Sequence, residues 1–208
     1  MLQIKQIDVG YMGSNCYLLT TQEKNALVVD PGGDMSNLMA EIDQEGLTLC
    51  YILLTHAHYD HIGGVNALVE KYHPQVVLGK EDEDMALDAH LNLSARGKLV
   101  KGFTITPTKL VQEGDVITLD EVSLKVLETP GHTKGGVCYL CEDVLFSGDT
   151  LFRGDIGRCD LYGGNLDTMM KSLKKLKDLP GNYKVLPGHS SATDLQRERE
   201  YNRYMKQV

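Results

Sequence analysis

Long apolar runs are missing from this chain of 208 residues, and without such a run no helix can cross a bilayer. Positive charge is also scarce: 21 lysines and arginines face 29 aspartates and glutamates, and the formal net charge is −8. An acidic chain without a basic cluster is a poor candidate for nucleic-acid binding. The first residues, MLQIKQIDVG, alternate as a strand does and lack the charged and then apolar regions of a secretory signal. We therefore expect a cytoplasmic protein whose partners include neither a membrane nor a nucleic acid.

The chain also lacks the even number of cysteines that a disulfide framework requires. The chain has five, which in a protein of this size argues for a reducing compartment. Cys138 and Cys141 have the spacing of a redox or zinc pair, but they fall in a strand-like run. Residues three apart in a strand face opposite sides of the sheet. We therefore predict two separately packed thiols.

The remaining composition, 42% hydrophobic and 24% charged, is ordinary for a globular protein. Short apolar runs bounded by turn residues predict many strands, and helical spacing occurs at residues 36–45, 62–72, 166–176 and 193–205. Ser36 and Thr193 are the expected N-caps of the first and last helices. No linker or repeat divides the chain, so we predict one domain over residues 1–208. Apolar strands must be covered on both faces, which predicts two packed sheets with helices outside.

Three segments have weaker patterns. The acidic residues 81–89 are predicted to be helical with a solvated face, and residues 104–110 are predicted to form a strand. Residues 91–101 are the hardest to interpret and are expected to form a flap or an inserted loop. His73 and His90 belong to no ligand pattern and are expected at the surface.

The densest cluster of chemistry-bearing residues is THAHYDHIGG at residues 55–64, directly after an apolar strand. It places His56, His58, Asp60 and His61 within six residues, and it holds three of the seven histidines in the chain. Imidazole and carboxylate at this density suit a borderline-soft divalent metal. His56 and His58 are two apart and can face one ion in extended chain, whereas Asp60 and His61 enter a helix and point toward a second ion.

Three further candidate ligands share one local pattern, in which a strand is followed by a glycine and then by the ligand. These are His132 in Thr-Pro-Gly-His, Asp149 in Phe-Ser-Gly-Asp and His189 in Leu-Pro-Gly-His. A glycine before the ligand lets the backbone turn sharply and approach an ion closely. Seven ligands for two ions leave each ion with an open position, as catalysis requires.

With these motifs the sequence resembles the metallo-β-lactamase superfamily, and most of all its short, single-domain glyoxalase II-like members. The matching stretches are His-x-His-x-Asp-His at 56–61, Thr-Pro-Gly-His-Thr at 129–133, Gly-Asp-Thr-Leu-Phe at 148–152 and Pro-Gly-His at 187–189. Asp-Pro-Gly at 30–32 and Ile-Gly-Arg at 156–158 also fit.

The resemblance implies an α+β fold, the four-layer αββα sandwich. It implies that one metal is held by His56, His58 and His132, that the other is held by Asp60, His61 and His189, and that Asp149 bridges them. The usual ion of the family is zinc, and iron or manganese occurs in glyoxalase II-like members. The implied activity is hydrolysis of a thioester such as S-lactoylglutathione by a hydroxide shared by the two metals, which Asp60 helps to orient.

Substrate-binding residues are less well indicated. Arg158 occupies the region where a lysine of glyoxalase II binds glutathione, and it either binds a substrate carboxylate or pairs with Asp155 or Asp160. Tyr162 is a candidate pocket residue. Asp30 either orients a ligating histidine or is a simple turn residue. The additional C-terminal helical segment of full-length glyoxalase II is not expected here, which leaves glutathione open as the natural thiol.

Three alternatives remain. A persulfide dioxygenase of the same superfamily would use a single iron held by His56, His132 and Asp149. A lactonase or β-lactamase is ranked lower. A metal-stabilised interaction module would bind metal without turning over any activated ester.

Overall fold

The structure, a computed structural model, describes residues 2–7, 9, 13–96 and 102–208. Residue 8 of the predicted first strand and residues 97–101 of the predicted flap lie outside the described residues.

The first half of the chain forms a six-stranded mixed sheet. Its strands in spatial order are β1 (Gln3–Ile7), β2 (Cys16–Thr20), β3 (Asn25–Val29), β4 (Thr48–Leu53), β5 (Gln75–Gly79) and β6 (Lys109–Val111). β1 to β3 pair antiparallel, whereas β3 to β6 are parallel. Parallel neighbours need crossover connections. These carry α1 (Ser36–Glu45), α2 (Tyr59–Ile62), α3 (Val65–Tyr72), α4 (Glu83–Ala86) and two 3-10 turns (Lys80–Asp82 and Ser94–Arg96).

The second half forms another six-stranded mixed sheet. Its strands are β7 (Val116–Leu119), β8 (Val122–Glu128), β9 (Val137–Cys141), β10 (Val144–Gly148), β11 (Lys184–Pro187) and β12 (Thr193–Asp194), again in spatial order. All neighbours are antiparallel except β10 and β11, which the crossover helix α5 (Leu166–Lys177) connects. The helix α6 (Leu195–Tyr201) and a 3-10 turn (Met205–Gln207) follow β12.

Alternation along the strands divides the core into three apolar layers. In β2, Leu18 packs toward α1 and α3, whereas Leu19 faces the second sheet. In β9, Tyr139 faces the first sheet, whereas Cys138 packs toward α5. The layers therefore follow in the order helix, sheet, sheet, helix, and the predicted αββα sandwich is confirmed.

The prediction of two separately packed thiols is confirmed. Cys138 and Cys141 are free thiols that belong to different core layers. Within the described residues, no helix has both the length and the apolar character needed to cross a membrane.

Several predicted elements differ in detail from the structure. The predicted helix over 62–72 begins later, as α3 at Val65, and Gly63 and Gly64 separate it from the single turn α2, because glycine weakens a helix interior. The predicted strand over 104–110 shrinks to β6, since Pro107 has no N–H to donate to a sheet.

Neither predicted N-cap is confirmed: the N-cap of α1 is Met35, whose side chain makes no capping hydrogen bond, and that of α6 is Asp194. The carboxylate of Asp34 accepts hydrogen bonds from the backbone N–H and hydroxyl of Ser36, which starts α1 without capping it. The side chain of Asp194, and not that of Thr193, caps α6 by accepting from Arg197 N–H. Asp194 takes this role because its carboxylate reaches a free N–H group in the first turn of the helix.

The acidic segment is the largest correction. It is not one solvated helix over 81–89 but a 3-10 turn followed by the single-turn helix α4. Asp82 in this segment is fully buried, together with Met85 and Ala86. His73 and His90 are exposed, as predicted.

Candidate metal centre

The candidate ligands all follow strands that end at one edge of the sandwich. His56 to His61 come after β4, His132 after β8, Asp149 after β10 and His189 after β11. β8 and β10 are both antiparallel to β9, so they point the same way, and β11 is parallel to β10. The shared direction of β8, β10 and β11 brings His132, Asp149 and His189 to one edge of the second sheet, where they meet the side chains of the loop after β4.

Three histidines form a buried cluster, here called the three-histidine group (His56, His58 and His132). Nδ1 of His58 lies 2.8 Å from Nε2 of His132. The ring of His56 lies 4.8 Å from that of His58 and 4.7 Å from that of His132, measured between centroids. Three convergent imidazoles with room for a further ligand are typical of catalytic metal sites.

A second cluster, the mixed group, consists of Asp60, His61 and His189. Nε2 of His61 lies 3.3 Å from Nε2 of His189 and 3.7 Å from Oδ2 of Asp60. Nε2 of His189 lies 3.2 Å from the same carboxylate oxygen. His61 is buried and the other two are half-buried, so this group is the more accessible of the two.

Asp149 lies between the two groups. Its Oδ1 is 3.4 Å from Nε2 of His61, and its Oδ2 is 3.5 Å from Nε2 of His132 and 3.6 Å from Nε2 of His189. One carboxylate thus faces histidines of both groups, which is the position of a bridging ligand.

Hydrogen bonds on the outer side of the rings turn lone pairs toward the centre. Nδ1 of His132 donates to the carbonyl oxygen of Arg158 at 2.7 Å, and Nδ1 of His189 donates to that of Gly13 at 2.9 Å. A proton on Nδ1 leaves Nε2 of a neutral imidazole as an acceptor. Ligating histidines are commonly held in this way.

Asp30 performs the same task for two more histidines. Its Oδ2 accepts from Nδ1 of His61 at 3.0 Å and from the Thr55 hydroxyl at 2.6 Å, while its Oδ1 accepts from Thr55 N–H at 2.8 Å. The Thr55 oxygen is in turn 3.1 Å from Nδ1 of His56. One buried carboxylate therefore orients His61 directly and His56 through Thr55. Of the two roles predicted for Asp30, the structure supports the orienting role and not that of a simple turn residue.

Polar atoms without partners show that the centre suits a cation. In the part of the chain that the structure describes, the buried Nε2 of His56 and Oδ1 of Asp149 have no hydrogen-bond partner. Leaving such atoms unpaired costs free energy, and a divalent metal would satisfy both. Imidazole and carboxylate donors are those that zinc and similar ions prefer. The residues present fit divalent metal ions.

Electrostatics agree with this fit. Burial lowers the pKa of His58 to about 3 and holds the pKa of His56 and of His132 below its usual value, which favours the neutral form that binds metals. Burial also acts to lower the pKa of His61, but the carboxylates of Asp149 and Asp60 outweigh it and raise that pKa to about 10. Positive charge is therefore favoured beside these carboxylates.

Gly188 shows why a glycine precedes a ligand here. A Cβ at this position would lie 2.3 Å from Oδ1 of Asp149 and 2.7 Å from Cε1 of His61. No larger residue fits without displacing the Asp149 carboxylate.

A cavity of about 690 Å³ opens over both groups. Its other walls come from the loop after α4 and from the segment after β10, and the side chains not predicted from the sequence are Tyr59, Leu93, Ser94, Arg96, Phe152 and Leu161. Arg96 belongs to the segment 91–101, which is predicted to be a flap or an inserted loop, and its positive charge is the sequence signal for this wall.

The two predicted substrate residues are placed differently. Arg158 lines the cavity, and its guanidinium also pairs with Asp160 at 2.7 and 2.8 Å. Tyr162 is not among the described residues that line the cavity, and its hydroxyl donates to Asp84 at 2.7 Å. A contact between Tyr162 and substrate stays a prediction that this geometry does not favour.

Comparison with known proteins agrees with this architecture. Residues 9–189 match the sequence profile of the Metallo-beta-lactamase superfamily. The chain belongs to the metallo-β-lactamase superfamily. The resemblance inferred from the motifs is thereby confirmed, and the chain is a metallo-hydrolase of a superfamily that binds divalent metals.

Individual relatives span nearly the whole chain. The probable metallo-hydrolase YqgX of Bacillus subtilis is 38% identical over 97% of this chain and 96% of its own length. The hydroxyacylglutathione hydrolase GloC of Haemophilus influenzae is 31% identical over 98% of both. Among solved structures, the B3 metallo-β-lactamase BLEG-1 is 37% identical, with a TM-score of 0.91 over 98% of this chain and 99% of its own.

Proposed function

We propose that this metallo-hydrolase is a binuclear enzyme that hydrolyses thioesters of anionic thiols, such as S-lactoylglutathione. The observation that carries the proposal is the position of Asp149, whose two oxygens lie within 3.6 Å of histidine nitrogens from both groups. Bridging ligands of this kind serve pairs of ions about 3.5–4 Å apart in hydrolytic enzymes.

The three-histidine group would hold one ion and the mixed group the other, with Asp149 shared. Zinc is the expected ion because it accepts both imidazole and carboxylate, and iron or manganese is the alternative. When bound, the ions lower the pKa of a water molecule and polarise a carbonyl oxygen.

The chain's own residues orient the reactants. Asp60 lines the cavity, and its side chain is 17% exposed, so its carboxylate can accept a hydrogen bond from the attacking water. The pKa of Asp60 is held below its usual range, because His61 and His189 outweigh the effect of burial, so this acceptor stays ionised at neutral pH. A departing thiol has a pKa of about 8.5, so its departure as a thiolate needs no general acid.

Two arginines favour an anionic substrate. Arg96 and Arg158 both line the cavity of a chain whose net charge is −8. Arg96 has no ion-pair partner among the described residues. The pair of Arg158 with Asp160 is exposed and therefore weak, so a substrate carboxylate can replace Asp160. The activity named for the relative GloC supports a glutathione thioester as the first substrate to test.

The test is hydrolysis of S-lactoylglutathione by purified protein of measured metal content, followed as thiol release. We expect turnover that a chelator abolishes and that added zinc restores. The matched substrate is the same acyl group on an uncharged thiol, which should have a higher KM. A fully metal-loaded protein that releases no thiol from either substrate would refute the proposal.

A β-lactam is the second candidate substrate, because the B3 metallo-β-lactamase BLEG-1 has nearly the same backbone. A chromogenic cephalosporin in the same assay decides between them. The iron-dependent persulfide dioxygenase would instead contain one iron per chain and consume oxygen. The cytoplasmic location stays a prediction.

A further inference from the structure

Asp82 is a buried carboxylate that the proposed chemistry does not use. Its side chain is fully buried, and the described part of the chain offers it no ion pair. It accepts three hydrogen bonds: from Ala57 N–H at 3.2 Å, from the Thr133 hydroxyl at 2.8 Å and from Gly135 N–H at 2.7 Å. Burying a carboxylate without a cation is costly, and burial raises the pKa of Asp82 to about 6.

The partners of Asp82 come from the two loops that carry the three-histidine group. Ala57 lies between His56 and His58 in the loop after β4 of the first sheet. Thr133 directly follows His132 in the loop after β8 of the second sheet. A single Oδ2 accepts from both Ala57 and Thr133, so this atom connects the two segments that supply the three-histidine group.

Close backbone packing holds the carboxylate at this junction. A Cβ on Gly135 would lie 2.3 Å from the backbone N of Asp82, and a Cβ on Gly79 would lie 2.0 Å from the carbonyl oxygen of Gly135. The end of β5 and the loop after His132 are therefore in direct backbone contact.

We propose that Asp82 is a positioning residue that sets the distance between the two loops of the three-histidine group, and thereby its affinity for metal. The inference rests on the proposed metal centre but not on the proposed substrate. A carboxylate is needed because all three partners are donors and it is acceptor-only. In Asp82→Asn, the amide nitrogen would face either Gly135 N–H or the pair formed by Ala57 and Thr133.

The test compares Asp82→Asn with Glu198→Gln, a matched control. Glu198 is equally buried and accepts from Gly154 N–H, the Thr193 hydroxyl and the Asn202 amide, and unlike Asp82 it also pairs with the Arg197 guanidinium at 2.6 Å; none of these groups belongs to a ligand. For each variant, the melting temperature of the metal-free protein and the zinc affinity in competition with a chromogenic chelator are measured. The spectrum of the cobalt-substituted protein reports the geometry of the ligands without turnover.

Both variants should melt at a lower temperature than the parent protein. Only Asp82→Asn should also lose zinc affinity, by about 10- to 100-fold as for other residues that orient ligands, and alter the cobalt spectrum. If Asp82→Asn does not fold, Thr133→Val removes one of the three donors and should weaken zinc binding in the same direction. Parental affinity in a folded Asp82→Asn, or in Thr133→Val where Asp82→Asn does not fold, would overturn the inference. A parent protein that binds zinc but hydrolyses none of the tested substrates would refute only the proposed function.

Discussion

Replacing Asp30 by asparagine should weaken both the fold and the metal centre. The carboxylate accepts from Thr55 N–H on one oxygen, and from the Thr55 hydroxyl and Nδ1 of His61 on the other. Asparagine keeps one acceptor and substitutes a donor for the other. In one orientation the new amide faces Thr55 N–H, and a buried donor left unpaired costs about 1–3 kcal/mol.

In the other orientation the amide faces Nδ1 of His61. The imidazole then keeps its lone pair on Nδ1 and its proton on Nε2. Nε2, the nitrogen that points to Asp149 and His189, therefore has no lone pair left for a metal. Either way, the expected loss of about 1–3 kcal/mol corresponds to a fall of roughly 2–12 °C in Tm for a chain of this size. Metal affinity should fall by about 10- to 100-fold.

The assay combines thermal unfolding of the metal-free protein with chelator competition. Asp120→Asn is the control, since Asp120 also accepts from a threonine hydroxyl and an amide, those of Thr21 and Asn25, but touches no histidine. The control should keep parental metal affinity. An Asp30→Asn protein that binds two metals as tightly as the parent would refute the orienting role of this carboxylate.

Two further outcomes are expected. Arg96→Ala should raise KM for S-lactoylglutathione several-fold with little change in kcat, and should not affect an uncharged thioester; steady-state kinetics on both substrates test this. The metal-free protein should lose stability as pH falls from about 5.5 toward 3. Burial lowers the pKa of three histidines in the folded protein (His56, His58 and His132), so the unfolded chain takes up more protons than the folded one. The raised pKa values of His61 and His189 act in the opposite direction above about pH 5.5, and that of Asp82 does so between about 6 and 3.8. Below about pH 5.5 one carboxylate is outweighed by three imidazoles, so denaturant unfolding at pH 5.5 and about 4.5 measures the net sign, and a more stable protein at the lower pH would contradict it.

The layers and the convergence of the ligands could be predicted because both depend on local patterns. Apolar alternation in strands such as β2 and β9 indicates two buried faces per sheet. Each ligand follows a strand, and strands that point the same way end at the same edge. The short local motifs therefore carried most of the information about the centre.

What escaped prediction depends on contacts between distant segments. The acidic surroundings of Asp82 indicate a solvated helix, but its partners lie 25, 51 and 53 residues away, and they determine its burial. Arg96 and Phe152 become cavity walls only through the course of their loops, which has no periodic signal. Arg199 likewise donates to the carbonyl oxygens of Lys177, Leu179 and Gly181 at and just beyond the end of α5, because a guanidinium can serve several free acceptors at a helix end.

The most direct test of the account is the metal-to-protein ratio, by elemental analysis, of the parent protein and of Asp149→Ala. Because Asp149 faces histidines of both groups, we predict two ions per chain in the parent and a loss from both positions in the variant. A parent protein with a single iron, or a variant that keeps both ions and full hydrolytic rate, would contradict the proposed binuclear centre.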